Sequence, residues 1–237
     1  MPLRIGFDMD GVLADFASAY HAMEVSLFGP DTPRRRPQPE EQEARLAREA
    51  GGSAPVSGAA LDDRRRSDAV WQLITSMPDF WTMLRPVEEG AVRKIHELML
   101  KHRWEVFFIT QRPATIGETV QRQTQRWLIA QGFDMPSVLV IGGSRGAAAG
   151  ALRLDYHVDD SAQNCLDVLS DARAKPVLVV PARDVVTARK ARSLGIGVVN
   201  TTRECLDVLD QASAARQQPV VLQKLAAMVG WAQRPAR

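Results

Sequence analysis

Residues 5–16 read IGFDMDGVLADF, and the rest of the chain is interpreted outward from this stretch. The apolar run of residues 3–7 predicts a buried strand that stops at two aspartates separated by one residue. Residues i and i+2 of extended backbone project to the same side, so we expect Asp8 and Asp10 to face one pocket. Two carboxylates this close repel each other unless a cation or a shared proton neutralises them. At the carboxyl end of a parallel strand the pair predicts a magnesium site, with an acidic Asp-Gly turn as the alternative.

The composition indicates a globular protein. With 237 residues, 45% of them hydrophobic, the chain is long enough for one large α/β domain or for a core with an inserted cap. A formal net charge of +2 is too small to favour nucleic acid or an acidic membrane surface. The two cysteines show neither a disulfide framework nor zinc-site spacing, and no apolar run reaches the ~20 residues that span a membrane. We therefore expect a soluble protein of the reducing cytoplasm, without a signal peptide.

Short apolar strands alternate with helices along the chain. The strands are expected at residues 3–7, 104–109, 137–141, 156–158, 177–180 and 196–199. The helices are expected at residues 16–28, 69–74, 88–102, 116–131, 147–152, 162–169, 184–194, 202–209 and 219–231. Such alternation predicts an α/β fold, in which a mostly parallel sheet lies between two layers of helices.

The stretch between the first two predicted strands is too long for one crossover, so it must contain an inserted subdomain. The predicted domains are an α/β core of residues 1–15 and 86–237 and a helical cap of residues 16–85. Within the cap, residues 30–68 contain five prolines and two arginine triplets, but eight Arg are balanced by eight Asp plus Glu. We expect this segment to be a solvated, partly mobile insertion with a short exposed helix over residues 40–50. The balance of charge argues against a nucleic-acid-binding role.

The second predicted strand ends in polar residues that suit an anion. Thr110 offers a hydroxyl beside backbone N–H groups, just before a predicted helix. Arg112 follows two residues later and can grip a phosphate through two parallel hydrogen bonds. A helix cap is the alternative role for Thr110.

Two further strand ends are expected at the same edge of the sheet. The glycine-rich loop of residues 142–146 carries Arg145, which can reach into a site there or remain an exposed surface arginine. The fourth predicted strand ends in Asp159 and Asp160. Adjacent side chains diverge, so one carboxylate would meet a metal directly while the other orients ligands or waters. Two acidic strand ends, with a threonine and a cation between them in chain order, predict one shared site.

Four short motifs resemble, in the same order, those of the haloacid dehalogenase-like (HAD) phosphohydrolase superfamily: residues 8–12, Thr110, Arg145 and residues 159–160. The opening of the chain and the segment FWTMLRP, residues 80–86, are similar to the 5'(3')-deoxyribonucleotidase branch of that superfamily. The resemblance covers about residues 3–170 apart from the insertion. It implies a three-layer, Rossmann-like HAD core with a helical cap between the first and second core strands.

The resemblance also implies phosphoryl transfer to an aspartate. Asp8 would attack phosphorus, while Asp10 would protonate the leaving oxygen and then deprotonate the water that releases phosphate. The implied cofactor is Mg2+, bound by Asp8, by the backbone carbonyl of Asp10, and by Asp159 or Asp160.

The remaining implied roles concern the phosphate. Thr110 and Arg145 would hold the phosphoryl oxygens, with Gln111 and Arg112 as further substrate contacts. The superfamily usually has lysine at the position of Arg145, and arginine keeps the charge on a planar fork. The nucleotidase branch usually has Ser-Pro after its threonine, where residues 111–113 read Gln-Arg-Pro.

Two aromatic residues of the insertion bear on the substrate. Phe80 and Trp81 are either walls for a flat nucleobase or ordinary cap core. The resulting hypothesis is an Mg2+-dependent phosphomonoester hydrolase for a nucleoside monophosphate. The alternatives are a HAD phosphatase for another small phosphorylated metabolite and a non-hydrolytic protein that binds phosphorylated ligands. A homodimer is left open, and neither stable nucleic-acid binding nor a membrane association is expected.

Overall fold

The computed structural model describes residues 2–33, 58–215 and 228–230, with side chains from residue 62 onward in the second range. The strands are β1 (Arg4–Asp8), β2 (Glu105–Thr110), β3 (Ser137–Val140), β4 (Tyr156–Asp159), β5 (Lys175–Val179) and β6 (Gly197–Val199). In these ranges the α-helices are α1 (Phe16–Phe28), α2 (Gly58–Ser76), α3 (Ala91–His102), α4 (Val120–Ala130), α5 (Arg145–Ala151), α6 (Ala162–Asp171), α7 (Val185–Ser193) and α8 (Thr202–Ala215). None of these helices is long and apolar enough to cross a membrane. The predicted helices over residues 40–50 and 219–231 lie outside the described residues, apart from residues 228–230.

All neighbouring strands of the six-stranded sheet are parallel, in the order β3-β2-β1-β4-β5-β6. The sheet therefore has β1 in its middle, with the next two strands of the chain on one side and the last three on the other. Ile5 and Phe7 of β1 are completely buried, as expected for a parallel sheet covered by helices on both faces. The predicted α/β fold is confirmed. Reversal of the strand order beside β1 places a crevice at the carboxyl end of that strand.

The chain leaves the sheet after β1 and returns beside its point of departure. Ala14 and Pro86 form an antiparallel bridge. The amide of Asp15 donates to the carbonyl of Arg85 (2.8 Å). Helices α1 and α2 and a short 3-10 helix (Phe80–Thr82) lie between these two adjacent segments. They therefore belong to an insertion between β1 and β2.

Helix α2 begins at Gly58, well before the start at residue 69 that the sequence predicts. Residues 58–68 are therefore helical, whereas residues 34–57 of the segment predicted to be mobile lie outside the described residues. Contacts with α1 supply the reason, since most helical stability comes from packing. The hydroxyl of Tyr20 lies 3.2 Å from that of Ser67, and the Arg66 guanidinium lies 4.5 Å from the Phe28 ring.

An aromatic cluster fills the interior of the insertion and consists of Phe16, Tyr20, Trp71, Phe80 and Trp81. The Phe16 ring lies 5.5 Å from the rings of both Trp71 and Trp81. Phe80 and Trp81 meet edge to face at 5.0 Å. Aromatic pairs of this kind contribute about 0.5–1.5 kcal/mol each beyond their buried area. The cluster therefore stabilises the insertion and joins it to the main core, which contains Ile5 and Phe7 of β1.

The loop after β2 is bonded to the last part of the insertion. The amide of Asp79 donates to the carbonyl of Ile116 (2.8 Å), and the amide of Ile116 donates to the carbonyl of Thr75 (3.0 Å). Helix α4 accordingly begins at Val120 with Thr119 as its N-cap, instead of at residue 116 as predicted. Residues 111–119 remain non-helical because backbone groups among them bond to the insertion.

Candidate active site

Asp8 is the last residue of β1, the central strand, and its side chain is buried. The amide of Asp10 donates to Oδ2 of Asp8 (3.0 Å), so the turn after the strand folds back on its first aspartate. Gly11 has a φ of 85°, and a Cβ at this position would lie 2.0 Å from Oδ2 of Asp160. Glycine is therefore required here both by the backbone conformation and by the close approach of a carboxylate.

Asp159 ends β4, and donors on several sides hold its fully buried carboxylate. The amide of Ser161 donates to Oδ1 (2.8 Å), and Nδ2 of Asn164 lies 3.2 Å from each carboxylate oxygen. Nε2 of His157 lies 3.0 Å from Oδ2. These contacts keep the carboxylate in one orientation.

The carboxylates of Asp8, Asp159 and Asp160 form one acidic cluster, whose ligand atoms all lie within 4.8 Å of one another. Carboxylate oxygens are the donors that Mg2+ prefers, so this donor set fits a hard divalent cation. The cluster brings together three of the residues predicted to bind the metal. Asp10, predicted to bind through its backbone carbonyl, directs its carboxylate to Arg112.

Arg145 is the first residue of α5, and its buried guanidinium reaches both acidic strand ends. Nη2 donates to Oδ1 of Asp8 (3.0 Å), and Nε lies 3.9 Å from Oδ2 of Asp159. Within the described residues, Nε and Nη1 have no hydrogen-bond partner. The structure thus places this arginine inside the site, where it retains donors for an anion.

The close approach of α5 to α6 explains how Arg145 enters the site. A Cβ on Gly146 would lie 2.2 Å from the carbonyl oxygen of Asp167 in α6, so a larger residue would force the helices apart. Ala149, one turn further on, is buried in the same contact region. Ser144 caps the helix by accepting from two amides of its first turn. The small residues of α5 therefore position the arginine at its start.

The pKa values of Asp8 and Asp159, at the two acidic strand ends, are shifted in opposite directions. Burial raises the pKa of Asp8 well above its ordinary value, and the charge of Asp159 adds to this effect while Arg145 opposes it. Burial also acts to raise the pKa of Asp159. The hydrogen bond and charge of His157, together with the charge of Arg145, outweigh burial and hold that pKa below its ordinary value. A divalent cation bound between the two carboxylates would favour the ionised form of both.

Thr110 ends β2, the strand that pairs with β1 on one side. Its side chain is 1% exposed, and its Oγ1 makes no hydrogen bond in the described parts of the chain. The cap of the following helix is Thr119, whose Oγ1 accepts from the amide of Arg122, so Thr110 does not have the alternative capping role. A buried hydroxyl left without a partner costs about 1–3 kcal/mol of stability. A ligand that hydrogen-bonds to this hydroxyl would offset that cost, so Thr110 is suited to bind one. The next residue, Gln111, is half-buried.

Arg112 pairs with Asp10 in this structure. Its Nε and Nη2 donate to the two carboxylate oxygens, at 2.8 and 2.6 Å. Nη1 donates to the hydroxyl of Thr124 at 3.0 Å. The side chain of Arg112 is 1% exposed, against 23% for that of Asp10. The predicted phosphate contact of Arg112 stays a prediction, because its guanidinium here holds the predicted acid/base residue.

Phe80 and Trp81 lie inside the insertion, 2% and 1% exposed. Both belong to the aromatic cluster, and the Arg112 guanidinium lies over the Trp81 ring, 4.7 Å from its centroid. Neither ring presents an open face to a ligand. The structure therefore favours the cap-core role for both residues over that of a nucleobase wall.

Some residues of the site do not stand out in the sequence. His157 is fully buried, and a Cβ on Gly6 would lie 2.9 Å from its Nδ1, so the glycine of β1 makes room for the ring. The i, i+2 spacing of His157 and Asp159 is a usable signal, because both side chains project to one face of β4. The roles of Asn164 and Gly146 depend on how helices α5 and α6 pack against the sheet and against each other, which no local sequence pattern predicts.

Solved structures with similar folds are found for most of the chain. The "putative beta-phosphoglucomutase" from Thermotoga maritima matches with a TM-score of 0.50 and 17% identity, covering 87% of this chain and 98% of that one. A hydrolase from Pseudomonas syringae matches with a TM-score of 0.52 and 16% identity, covering 89% and 98%. A HAD hydrolase of family IA, variant 3, from Entamoeba histolytica matches with a TM-score of 0.48 and 15% identity, covering 86% and 95%. Neither a protein-family model nor a curated protein matches this chain. The parallel sheet and its helices match the fold of the Thermotoga maritima and Pseudomonas syringae structures, and at these identities the similarity concerns the fold alone.

Proposed function

We propose that this chain is an Mg2+-dependent phosphomonoester hydrolase in which Asp8 receives the phosphoryl group. The observation that carries the proposal is a set of buried donors without partners in the described residues: Oγ1 of Thr110 and Nε and Nη1 of Arg145. They lie at the carboxyl edge of the sheet, where Arg145 also bonds Asp8. Donors held in place at such an edge suit the phosphoryl oxygens, which carry the charge of the transition state.

The acidic cluster of Asp8, Asp159 and Asp160 would hold the Mg2+ ion, because its oxygens fit a hard cation. When bound, the ion neutralises charge on the phosphate and on the surrounding carboxylates. The balance of charges supports this assignment. Asp10 brings the carboxylates of the site to four, while Arg112 and Arg145 supply two guanidiniums.

The proposed reaction has two halves. In the first, an oxygen of Asp8 attacks phosphorus, the bond to the leaving oxygen breaks, and Asp10 gives that oxygen a proton. In the second, water attacks phosphorus and passes a proton to Asp10. The bond from phosphorus to Asp8 then breaks, which releases inorganic phosphate and restores the Asp8 carboxylate. Thr110 and Arg145 hold the phosphoryl oxygens in both halves.

Two observations support hydrolysis over mere binding of a phosphorylated ligand. A binding protein needs no acid/base carboxylate beside its anion site, yet the chain has both Asp8 and Asp10. The matched structures include proteins named as a phosphoglucomutase and a hydrolase, and both names are compatible with chemistry at such an aspartate.

The proposed substrate is a nucleoside monophosphate, with another small phosphorylated metabolite as the competing candidate. The nucleotide rests on the resemblance of residues 5–16 and 80–86 to the nucleotidase branch. Phe80 and Trp81 are covered, so other residues would have to hold the base. The insertion of residues 16–85 is proposed to act as the cap that shields the site from bulk solvent.

Release of phosphate from p-nitrophenyl phosphate, with and without Mg2+, tests the proposal. The wild-type rate should require Mg2+ and fall by about 10³-fold or more in Asp8→Asn, which keeps the shape of the residue but not its nucleophile. Asp207→Asn, on the exposed face of α8, is the matched control and should keep the wild-type rate. A wild-type rate no better than that of Asp8→Asn would overturn the proposal.

Two further measurements refine the result. A panel of 5'- and 3'-mononucleotides and sugar phosphates separates the two substrate classes by kcat/KM. Calorimetric titration with Mg2+ alone reports on the acidic cluster independently of activity. We expect Asp160→Asn to weaken this binding by about tenfold or more, because it removes one carboxylate of the cluster.

A further inference from the structure

Arg112 is a buried arginine outside the four motifs, and its strongest contacts are with Asp10. Nε donates to Oδ2 and Nη2 to Oδ1, at 2.8 and 2.6 Å. A fork-to-fork pair of this kind fixes the rotation of the carboxylate as well as its position. The side chain of Asp10 is 23% exposed, so the surrounding protein encloses it only in part. Its orientation therefore depends on the pair with Arg112.

The guanidinium is itself held on two further sides. Nη1 donates to Oγ1 of Thr124 (3.0 Å), a buried residue of α4. Its face lies against Trp81, 4.7 Å from the ring centroid. Trp81 is fixed in turn, because its Nε1 donates to the carbonyl of Pro113 (3.0 Å). Arg112 thus ties the orientation of Asp10 to helix α4 and to the last part of the insertion.

The pair leaves part of the Asp10 carboxylate open for proton transfer. A carboxylate offers about four lone-pair positions, of which the Arg112 fork takes two. The other two are not used by Arg112, and their direction is set by the fork. A water molecule that attacks a phosphorylated Asp8 has to meet one of these positions to give up its proton.

We propose that Arg112 is the positioning residue that aims Asp10 at the attacking water during hydrolysis of the aspartyl-phosphate. This inference rests on the proposed function. In that step a water proton moves to a free lone pair of Asp10, and the water oxygen bonds to phosphorus. The bond from phosphorus to Asp8 breaks, and its electron pair returns to the Asp8 carboxylate.

The proposed role differs measurably from a direct grip on the substrate phosphate. A residue that only binds substrate raises KM when it is removed and leaves kcat unchanged. Removal of a residue that aims Asp10 slows the decay of the phosphoenzyme, so kcat falls and the intermediate accumulates. p-Nitrophenyl phosphate separates the two half-reactions, because p-nitrophenolate leaves without needing a proton.

Rapid mixing of the Mg2+-loaded Arg112→Gln variant with saturating p-nitrophenyl phosphate is the test. We expect a burst of about one p-nitrophenol per active site, then a steady state about 10²-fold slower than that of the wild type, the range of one acid–base contribution. Enzyme quenched in acid during the steady state should carry phosphate on Asp8. Arg122→Gln replaces an arginine of α4 whose side chain is 65% exposed, and should behave as the wild type.

A second pair of variants shows whether Arg112 acts through Asp10. Asp10→Asn should give the same burst, and adding Arg112→Gln to it should change the steady-state rate by no more than about twofold, because neighbours that act as one unit are not additive. Arg112→Lys keeps the charge but not the fork, and is expected to show the burst with a smaller fall in rate. Thermal melts show whether each variant folds. If Arg112→Gln does not fold, the burst and steady-state rate of Arg112→Lys decide the question.

The outcomes that overturn the inference are distinct from failure of the proposed function. A rise in KM with kcat unchanged and no burst would assign Arg112 to the substrate. Full additivity of Asp10→Asn and Arg112→Gln would separate Arg112 from Asp10. A wild-type enzyme without any Mg2+-dependent turnover would instead remove the proposed function itself.

Discussion

Two charged clusters lie at opposite ends of the parallel sheet, and the pKa values of Asp8 in one and Asp210 in the other are shifted in opposite directions. At the carboxyl end, burial raises the pKa of Asp8. Beside the amino end of β2, Asp210 of α8 accepts from Nζ of Lys101 (2.8 Å) and lies 2.5 Å from Nε2 of His102. Partial burial acts to raise the pKa of Asp210, but these two partners hold it below its ordinary value.

The difference separates a cluster that stabilises the fold from one that is ready for a ligand. At the amino end a single carboxylate has the Lys101 ammonium and the His102 ring as partners, and Lys101 is 59% exposed, so solvent screens the charges. At the carboxyl end four carboxylates, two buried and two half-buried, face the two buried guanidiniums of Arg112 and Arg145. An excess of buried like charge costs stability unless a bound group offsets it, and such sites are typically functional.

The largest expected effect comes from breaking the helix contact that brings Arg145 to the buried cluster. Gly146→Ala would place a Cβ 2.2 Å from the carbonyl oxygen of Asp167, so α5 must shift. The free energy of unfolding should fall by about 1–3 kcal/mol. Displacement of the arginine should lower kcat/KM for p-nitrophenyl phosphate by about 10²-fold. Denaturant titration and steady-state kinetics measure the two effects.

Gly150→Ala is the matched control for this substitution. It lies in the same helix, but its Cβ would be 3.7 Å from the carbonyl oxygen of Asp171, an ordinary contact. Helix propensity alone predicts a small gain in stability, up to about 1 kcal/mol. Equal effects of the two substitutions would show that the α5–α6 contact does not position Arg145.

A smaller effect is expected from Asp8→Asn on stability in Mg2+-free buffer. The raised pKa means that the folded protein favours the protonated Asp8. The contribution of Asp8 to stability is fully present below the pKa of the unfolded chain and is lost as pH rises through the folded-state value. Asp8→Asn should therefore raise Tm at about pH 8 more than at about pH 4. We expect Tm to rise by about 2–4 °C for each kcal/mol by which the substitution raises the free energy of unfolding.

Thermal melts in EDTA at the two pH values measure this effect. Addition of Mg2+ should stabilise the wild type more than Asp8→Asn, because the variant lacks one carboxylate of the acidic cluster. A variant that melts below the wild type at the higher pH would contradict the sign of the argument.

The smallest effect is expected at the amino end of the sheet. Asp210→Asn removes the acceptor shared by Lys101 and His102, and should lower the free energy of unfolding by about 0.2–1 kcal/mol near neutral pH. Because the folded-state pKa of Asp210 is depressed, its stabilisation is present above the pKa of the unfolded chain and lost as pH falls through the folded value. Wild type and variant should converge in acid and in about 1 M salt.

Phosphate release distinguishes the two ends of the sheet in this last experiment. Asp210→Asn should keep the wild-type rate, since Asp210 lies at the end of the sheet opposite Asp8. Asp207→Asn, exposed on the same helix, is the control for stability. A loss of activity as large as that of Gly146→Ala would break the proposed division between a structural and a functional cluster.

Much of the fold and part of the site follow from local sequence patterns. The six apolar runs correspond to the six strands, because strand length and alternation with helices are short-range properties. The aspartates at positions 8 and 159 were located at strand ends for the same reason. Helix boundaries were less accurate at α2 and α4, since contacts with α1 and with the insertion decide where those helices begin.

By itself, the sequence determined that a parallel α/β sheet carries two acidic strand ends at one edge. Only the tertiary structure decided which cation meets which carboxylate. Arg145 bonds Asp8 across 137 positions of the chain, and Arg112 bonds Asp10 across 102. Hydrophobic periodicity specifies which face of an element is buried, but side-chain partners are set by how helices and strands pack against one another. That packing placed Arg112 on the predicted acid/base residue and enclosed the rings of Phe80 and Trp81.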